Sequence, residues 1–473
     1  MIGLEGKGLS SPPNNWAGVY DIANPSIMYA ESKIGIAAIL ILYYAKNNYF
    51  CICMQYDELI EDIFRRHPSV QNAGFTSSSY KAGLKAMESF DTILGHPWKN
   101  FPCIHVAGTN GKGSVSSMLA VNIAAEKGGP IGLYTSPHLL DFRERIKIIS
   151  DEGELHYEMI PKEDVMSFLS KYAKEICDLS FFEITTGMAL WWFNKIGVKA
   201  AIIEVGLGGR LDSTNIISPV LSVISSIGLD HCAMLGSTRG EIAREKAGIF
   251  KPNKAALIWG KDPETMGVFI QQAEKIGCRL YFADELCNTI PHIEIDLHGD
   301  YQLPNIRTVL GALTILRIPF NPNAISRTSH ISGLRGRWEI ISTNPTIICD
   351  IGHNPQALEY NFKQLSNYHK KTHIVYGVMK DKDLNSIATK MPSDADYYLC
   401  AAETERALPV DELYIKLHQL RPDLKLHPCL ADYDETSVKR ALRLAKANSS
   451  ADDIIYVGGS NFVVAEVLSN VRK

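Results

Sequence analysis

Ten consecutive residues, His105–Ser114, read H-V-A-G-T-N-G-K-G-S and concentrate residue types that could handle phosphate. Gly108, Gly111 and Gly113 let the backbone turn tightly and come close to a ligand. Lys112 is a cation long enough to reach outer phosphates, and Ser114 offers a hydroxyl suited to Mg²⁺. Before this stretch, Phe101–Ala107 is apolar and partly β-branched, as a buried parallel strand requires. After it, Val115, Met118, Leu119, Val121 and Ile123 recur on one broad helical face. Strand, glycine turn and helix start would together present backbone N–H groups and a helix N-terminus to a phosphate. The generic phosphate-loop spacing is met imperfectly, because its first glycine would fall at Val106 and its Ser/Thr at Gly113. A glycine-rich turn in an α/β sheet is the alternative reading.

Other chemistry stands at strand ends. Glu204 closes the strand-like Ala200–Val205 and opens E-V-G-L-G-G-R-L-D-S-T-N. A carboxylate at the C-terminal end of a parallel strand, beside a glycine loop, lies where open α/β sheets bind ligands. A surface salt bridge is the alternative. Pro219–Ile227 delivers Gly228-Leu229-Asp230-His231, where a lone histidine is as readily structural. Lys246 follows Glu245 in R-E-K-A-G-I-F, ordinarily an ion pair on a helix. Arg143-Glu144-Arg145 after the strand Pro130–Thr135 can be a solvated face or can order a substrate anion. Further on, Thr346–Cys349 runs into Asp350-Ile351-Gly352-His353-Asn354-Pro355, and His373–Val378 into Lys380-Asp381-Lys382-Asp383.

The elements that must position these groups alternate strand and helix. Met54–Leu94 reads as helical, broken at His67-Pro68 and Thr76–Ser79, and Phe181 opens a helix carrying Trp191 and Trp192. Ala255–Trp259 and Leu280–Ala283 are strands around a Pro263–Ile276 helix, and Pro291–Leu297 is expected as an edge strand. A helix from Tyr301 to Leu316 precedes Ile318–Ser332, whose prolines and asparagines mark it as the connection between domains. From Gly333 the alternation restarts, with further strands at Asp396–Ala401 and Asp453–Val457. Such alternation predicts doubly wound sheets.

With 473 residues, two domains are expected. A formal net charge of −4 and the lack of a basic block argue against a nucleic-acid partner. Ten cysteines stand without a C-x-x-C pair, a reduced, cytoplasmic pattern and neither a disulfide framework nor a zinc site. Residues 1–53 differ from the rest, and their apolar run Ile34–Ala45 is too short to span a bilayer comfortably. Met54 is expected as the natural start, with 1–53 a leader outside the fold and no stable membrane association; a weak membrane-surface anchor is the alternative. The lack of a heptad pattern argues against a coiled-coil assembly, and a monomer is the expected form.

Eight stretches in order carry a resemblance: H-V-A-G-T-N-G-K-G-S, Y-T-S-P-H-L, F-F-E-I-T-T, E-V-G-L-G-G-R-L-D-S-T-N, S-S-I-G-L-D-H, R-E-K-A-G-I-F, G-R-W-E and D-I-G-H-N-P. From about Met54 to the C-terminus the chain resembles the bifunctional folylpolyglutamate synthase/dihydrofolate synthase family of the Mur-ligase superfamily. The resemblance implies a P-loop-type, mostly parallel-sheet ATPase domain over 54–317, a linker over 318–332, and a smaller Rossmann-like doubly wound domain over 333–473. It implies that ATP phosphorylates the carboxylate of dihydropteroate or a folate, and that the amine of L-glutamate then attacks the acyl phosphate.

By the same resemblance, Asn110, Gly111, Lys112, Gly113 and Ser114 cradle the triphosphate, and Asn305, Arg337 and Asp350 contact the nucleotide. Ser136, Glu204 and His231 correspond to ligands of Mg²⁺, two ions being expected, with phosphate oxygens completing the shell. Lys246 matches a lysine that CO₂ converts to a carbamate able to help hold metal. Lys112, Lys246, Glu204 and His231 are thus the implied catalytic set. Ser180, Leu211, Asp212 and Ser213 align with pterin-binding positions, and His353 takes a supporting role. The family's usual L-P-G-R is here Leu334-Arg335-Gly336-Arg337, and the lost proline puts the reach of Arg337 in question. A cell-wall Mur ligase acting on a UDP-sugar peptide, or a non-catalytic nucleotide-binding relative, are the alternatives.

Overall fold

The computed structural model describes residues 56–69, 74 and 83–471; the expected leader and the break at Thr76–Ser79 lie outside them. The described residues divide into two compact units. The smaller holds 56–66 and 166–177, and the larger holds those among 67–165 and 178–471. In the smaller unit, the Tyr56–Arg66 helix carries acids in its first turn and arginines in its last, matching the helix dipole. Arg65 and Arg66 both pair with Asp62, at 2.7 and 2.5 Å.

The larger unit contains two sheets. The first is built from β1 (Cys103–Ala107), β2 (Ile131–Tyr134), β3 (Ile146–Asp151), β4 (Leu155–Met159), β5 (Ala200–Glu204), β6 (Leu221–Ile224), β7 (Ala255–Ile258) and β8 (Arg279–Phe282). Their order is β4-β3-β2-β5-β1-β6-β7-β8. All pairs are parallel except β2–β3 and β3–β4, an antiparallel edge that the sequence did not announce. The strand Cys103–Ala107 is buried at every residue, His105 included, which is why its apolar residues do not alternate with exposed ones. It lies between β5 and β6, with Val106 opposite Glu204 and Ala107 opposite Ile224. The phosphate-loop candidate and the Glu204 loop therefore leave adjacent strands at the same sheet edge.

The Lys112–Lys127 helix is buried all the way from Gly113 to Ala124, not on one face as its spacing predicts. It lies between the first sheet and the Gln302–Leu316 helix, so small and apolar residues are needed on both sides. The stretch expected as an open connection folds as two short helices, Pro322–Ser326 and Thr328–Ser332, whose Ile325 and Ile331 join the same core. The expected edge strand at Pro291–Leu297 is absent; the segment is irregular, with Leu297 alone fully inserted in that core.

The second sheet comprises β9 (Glu339–Thr343), β10 (Thr346–Cys349), β11 (Thr372–Tyr376), β12 (Asp396–Leu399), β13 (Lys425–Pro428) and β14 (Ile454–Gly458), in the order β13-β12-β11-β14-β10-β9. Only β9 is antiparallel. Apolar clusters cover both faces, one around Trp338, Phe362 and Tyr397, the other around Val375, Ile455 and Val464. The fold is thus the α/β arrangement of two mostly parallel sheets that the alternation predicts. Among the described residues, no helix is long and apolar enough to cross a membrane.

Candidate active site

Two cavities open at the C-terminal ends of the first sheet's central strands. One, of about 220 Å³, is lined by Asn110–Ser114, Glu204, Asn305, Arg337 and Asp350. The other, of about 240 Å³, is lined by Ser180, Leu211, Asp212, Ser213, His231 and Lys246. Thr109, Lys112, Ser136, Pro137 and His353 belong to both walls. Every nucleotide residue implied by the resemblance thus lines the first cavity, and every pterin residue the second. The metal set is spread along the junction: Ser136 lines both, Glu204 the first only, His231 and Lys246 the second only.

The phosphate-loop candidate is shaped by its neighbours. Gly111 caps the helix at φ +83°, and a Cβ there would fall 2.3 Å from Asn305 Oδ1. Asn305 donates to Gln302 Oε1 at 2.8 Å, and Gln302 donates to the Ser114 hydroxyl at 3.2 Å. Ser114 is 1% exposed, so it forms the floor of the cavity. The amides of Thr109 and Asn110 bond to the carbonyl and hydroxyl of Ser226, whereas the first helical amides have no intrahelical acceptor. Lys112 Nζ folds back onto the carbonyls of Gly108 and Thr109, at 3.0 and 3.2 Å. The Asn110 side chain is engaged with Asn354 and Gln356 from the second sheet's side.

Glu204 is buried, and burial raises its pKa against the opposing pull of Lys112, the Ser136 amide, Arg337 and Arg145. The Ser136 amide donates to it at 3.2 Å. His231, in the left-handed region at φ 52°, is pushed down to about 4 by burial, with Asp230 opposing. A neutral imidazole is the form that ligates metal. Among the described residues no cluster of three His, Cys, Asp or Glu forms a ready cage. A buried carboxylate, a neutral imidazole and a serine beside a phosphate loop nevertheless suit a divalent ion that keeps phosphate oxygens in its shell.

Lys246 does not pair with Glu245. Adjacent helical residues point apart, so Glu245 bonds Arg210 at 2.9 Å on the outside while Lys246 turns inward to donate to Gly108 O at 2.9 Å. Burial and nearby Lys112 push its pKa down to about 7, against Asp230 and Asp212. The glycine loop after Glu204 makes this possible: a Cβ on Gly209 would lie 2.9 Å from the carbonyls of both Glu245 and Lys246.

Some implied contact residues have their polar atoms committed to the fold. Asp350 accepts from Tyr301 Oη, the Trp338 amide, the Gly352 amide and Asn361 Nδ2, which fills both oxygens. Asp212 accepts from the amides of Leu207 and Thr214 and contacts the Thr214 hydroxyl. Ser180 caps the Phe181–Ile196 helix in a capping box with Glu183. These three line their cavities with side-chain polar atoms already engaged within the fold. Arg337 reaches the loop, with Nη2 3.3 Å from where a Gly113 Cβ would sit. Without the family's proline, its turn is tied by Glu339, which accepts from Arg335 and from the Gly336 amide.

Beyond the implied set, further residues line the second cavity. Of Arg143-Glu144-Arg145, the first two are locked in a local capping box with Asp141, while Arg145 is buried over the Phe181 ring at 5.1 Å and donates to His138 Nδ1. Phe181, Phe182, Lys382 and Arg406 also line the second cavity. The available signal for Lys382 was its place just after a parallel strand; for Phe182 only the tertiary packing reveals it.

Comparisons with known proteins place the chain in a family. Residues 336–461 match the family described as Mur ligase, glutamate ligase domain. A Haloferax volcanii chain named for folylpolyglutamate synthase and dihydropteroate synthase is 31% identical over 417 residues, 82% of this chain. This chain spans about half, 48%, of that relative's length. The Escherichia coli dihydrofolate synthase/folylpolyglutamate synthase is 33% identical over 379 residues, covering 77% of this chain and 85% of that protein. Among solved structures, the E. coli enzyme in complex with DHPP and ADP gives a TM-score of 0.73 at 29% identity, covering 88% and 97% of the two chains. A bifunctional folylpolyglutamate synthase/dihydrofolate synthase with Mn, AMPPNP and L-glutamate bound gives 0.70 at 28% identity, covering 82% and 94%. With the paired cavities and the motif set, these similarities lead to one conclusion: the chain belongs to the folylpolyglutamate synthase/dihydrofolate synthase family of ATP-dependent ligases.

Proposed function

We propose that this chain joins L-glutamate to the carboxylate of dihydropteroate, of a folate, or of both, using ATP and passing through an acyl phosphate. The observation that carries this reading is the wall shared by the two cavities. Lys112 and Ser136 face both, so a phosphate held in one can meet a carboxylate held in the other. A carboxylate is a poor electrophile because oxide is a poor leaving group; phosphorylation supplies a good one, and when the amine of L-glutamate attacks the carbonyl carbon, inorganic phosphate and the amine's proton leave and an amide remains. The relatives solved with DHPP, ADP, AMPPNP and L-glutamate support the same substrates here.

The chain's own residues have distinct tasks in this scheme. Lys112, Arg337 and the start of the Lys112–Lys127 helix offset the triphosphate's charge. Phe182, Leu211 and Leu235 give the second cavity an apolar wall for a flat ring and keep water from the mixed anhydride. Ser136, Glu204 and His231 would hold magnesium, which supplies further charge neutralisation when bound. Lys246 is placed for a carbamate: only a neutral amine reacts with CO₂, and a pKa of about 7 leaves a substantial neutral fraction. The carbamate is an anion that would favour a nearby cation where an ammonium would repel it. Residues 54–317 and 333–473 act as the ATP-binding and closing halves, and a cytoplasmic monomer is the expected form.

ADP release measured with dihydropteroate, tetrahydrofolate and a UDP-sugar peptide, each with and without L-glutamate, tests the assignment. Glutamate-dependent release with either pterin compound is expected. Release with the UDP-sugar peptide alone would transfer the chain to the cell-wall ligases, and no release at all would leave a nucleotide-binding relative.

A further inference from the structure

We propose that Asp230 is a positioning residue: with Lys382 it clasps the loops of the second sheet onto the phosphate loop and sets the closed geometry of the site. Asp230 lies in the turn after β6, Lys382 follows β11, and His353 and Asn354 follow β10. Asp230 Oδ1 accepts from Lys382 Nζ at 2.7 Å. Its Oδ2 accepts from Asn354 Nδ2 at 3.3 Å and lies 3.3 Å from His353 Nε2. One carboxylate from the first sheet thus gathers three side chains from two loops of the second.

Burial gives the clasp its strength. The Asp230 and Lys382 side chains are 11% and 10% exposed. A pair this dry is costly to break from one side, because the remaining charge is left without a partner. The clasp is also wired to the phosphate loop. Asn354 Nδ2 donates to Asn110 Oδ1 at 2.9 Å as well as to Asp230, and Asn110 Nδ2 donates to Gln356 Oε1 at 3.1 Å. A single amide group therefore bridges Asp230 and the loop that holds Lys112. His353 sits on one of these loops, and Arg337 follows Gly336, whose carbonyl accepts from the Ile351 amide of the same loop at 3.1 Å; their contribution to catalysis rests on the ligase reading. The docking itself does not.

Hydrogen exchange on the ligand-free chain separates the two. Peptides spanning 108–114 and 350–357 are followed in wild type, Asp230→Asn, Lys382→Met, the double variant and Lys382→Arg, with far-UV circular dichroism checking the fold. Each single loss should speed exchange in both loops by about tenfold, since both open when the clasp does. The double variant should be no faster than the singles, and Lys382→Arg should return toward wild type. In turnover, the KM for ATP should rise more than kcat falls. Wild-type exchange in a folded Lys382→Met, or single effects that multiply in the double variant, would overturn the clasp. If Asp230→Asn does not fold, the contrast between Lys382→Met and Lys382→Arg decides alone. Because no substrate is present, absent ligase activity with normal clasp behaviour would instead count against the functional reading.

Discussion

Lys246 shows how far surroundings can alter a side chain's chemistry. On an exposed helix it would be a permanent cation; buried next to Lys112 it sits near pH 7. Its neutral fraction, and with it carbamate formation, should climb as pH rises through about 7. Lys246→Ala should be nearly inactive and should regain part of its activity with short carboxylic acids, which replace the carbamate's negative charge. Full activity of the variant without added acid would dismiss the carbamate. Lys112 stands at the junction of both cavities. Lys112→Ala should lose roughly two to three orders of magnitude in kcat while melting like wild type, in line with the removal of a charge stabiliser. Steady-state kinetics on the purified variant decide this, and near-normal turnover would reject the phosphate role.

The element that matters most is strand β1 with its loop and helix. Its loop conformation depends on Gly111, which combines φ +83° with Asn305 Oδ1 2.3 Å from any added Cβ. Gly111→Ala should therefore cost about 1–3 kcal/mol in urea unfolding and weaken ATP binding together. An alanine variant as stable as wild type would mean the loop relaxes freely. The Phe181–Ile196 helix teaches a related lesson. Its first turn is fixed by the Ser180–Glu183 capping box, so the residue that begins the helix also borders the second cavity. The same hydroxyl thus caps the helix and stands at the cavity wall.

Three buried histidines contribute to the acid response of the molecule. Burial holds His105 and His138 down to about 3, and His231 to about 4, from an ordinary 6.5, helped by Lys251 for His105 and Arg145 for His138. Between about pH 4 and 6.5 they are neutral in the fold but protonated in the unfolded chain. Unfolding then takes up protons, so stability falls as pH drops through that window. Glu204 and Asp212, raised by burial, work in the opposite sense and reduce the net uptake. Calorimetry at pH 5.5 in buffers of different ionisation heat should register net proton uptake on unfolding. Proton release would contradict the assignment.

How much of this was legible beforehand follows from range. The glycine loop, the strand before it, Glu204 at a strand end and the strand–helix alternation are local patterns, and local sterics and periodicity fix them. The eight ordered motifs carried the family and, with it, the residues that line the two cavities. What the chain could not reveal is where side chains point once distant segments meet. Nothing near Lys246 announces that it turns in to Gly108, 138 positions away. Nor does anything near Asp350 announce that Tyr301 and Asn361 fill its oxygens, or that Lys382 seeks Asp230. The irregular 291–297 segment and the two helices within 318–332 were likewise decided by packing, because a short apolar run is compatible with strand, helix or loop until a neighbour's surface selects one. Burial, which raises and lowers the site's pKa values, is a property of the assembled fold, and no stretch of sequence contains it.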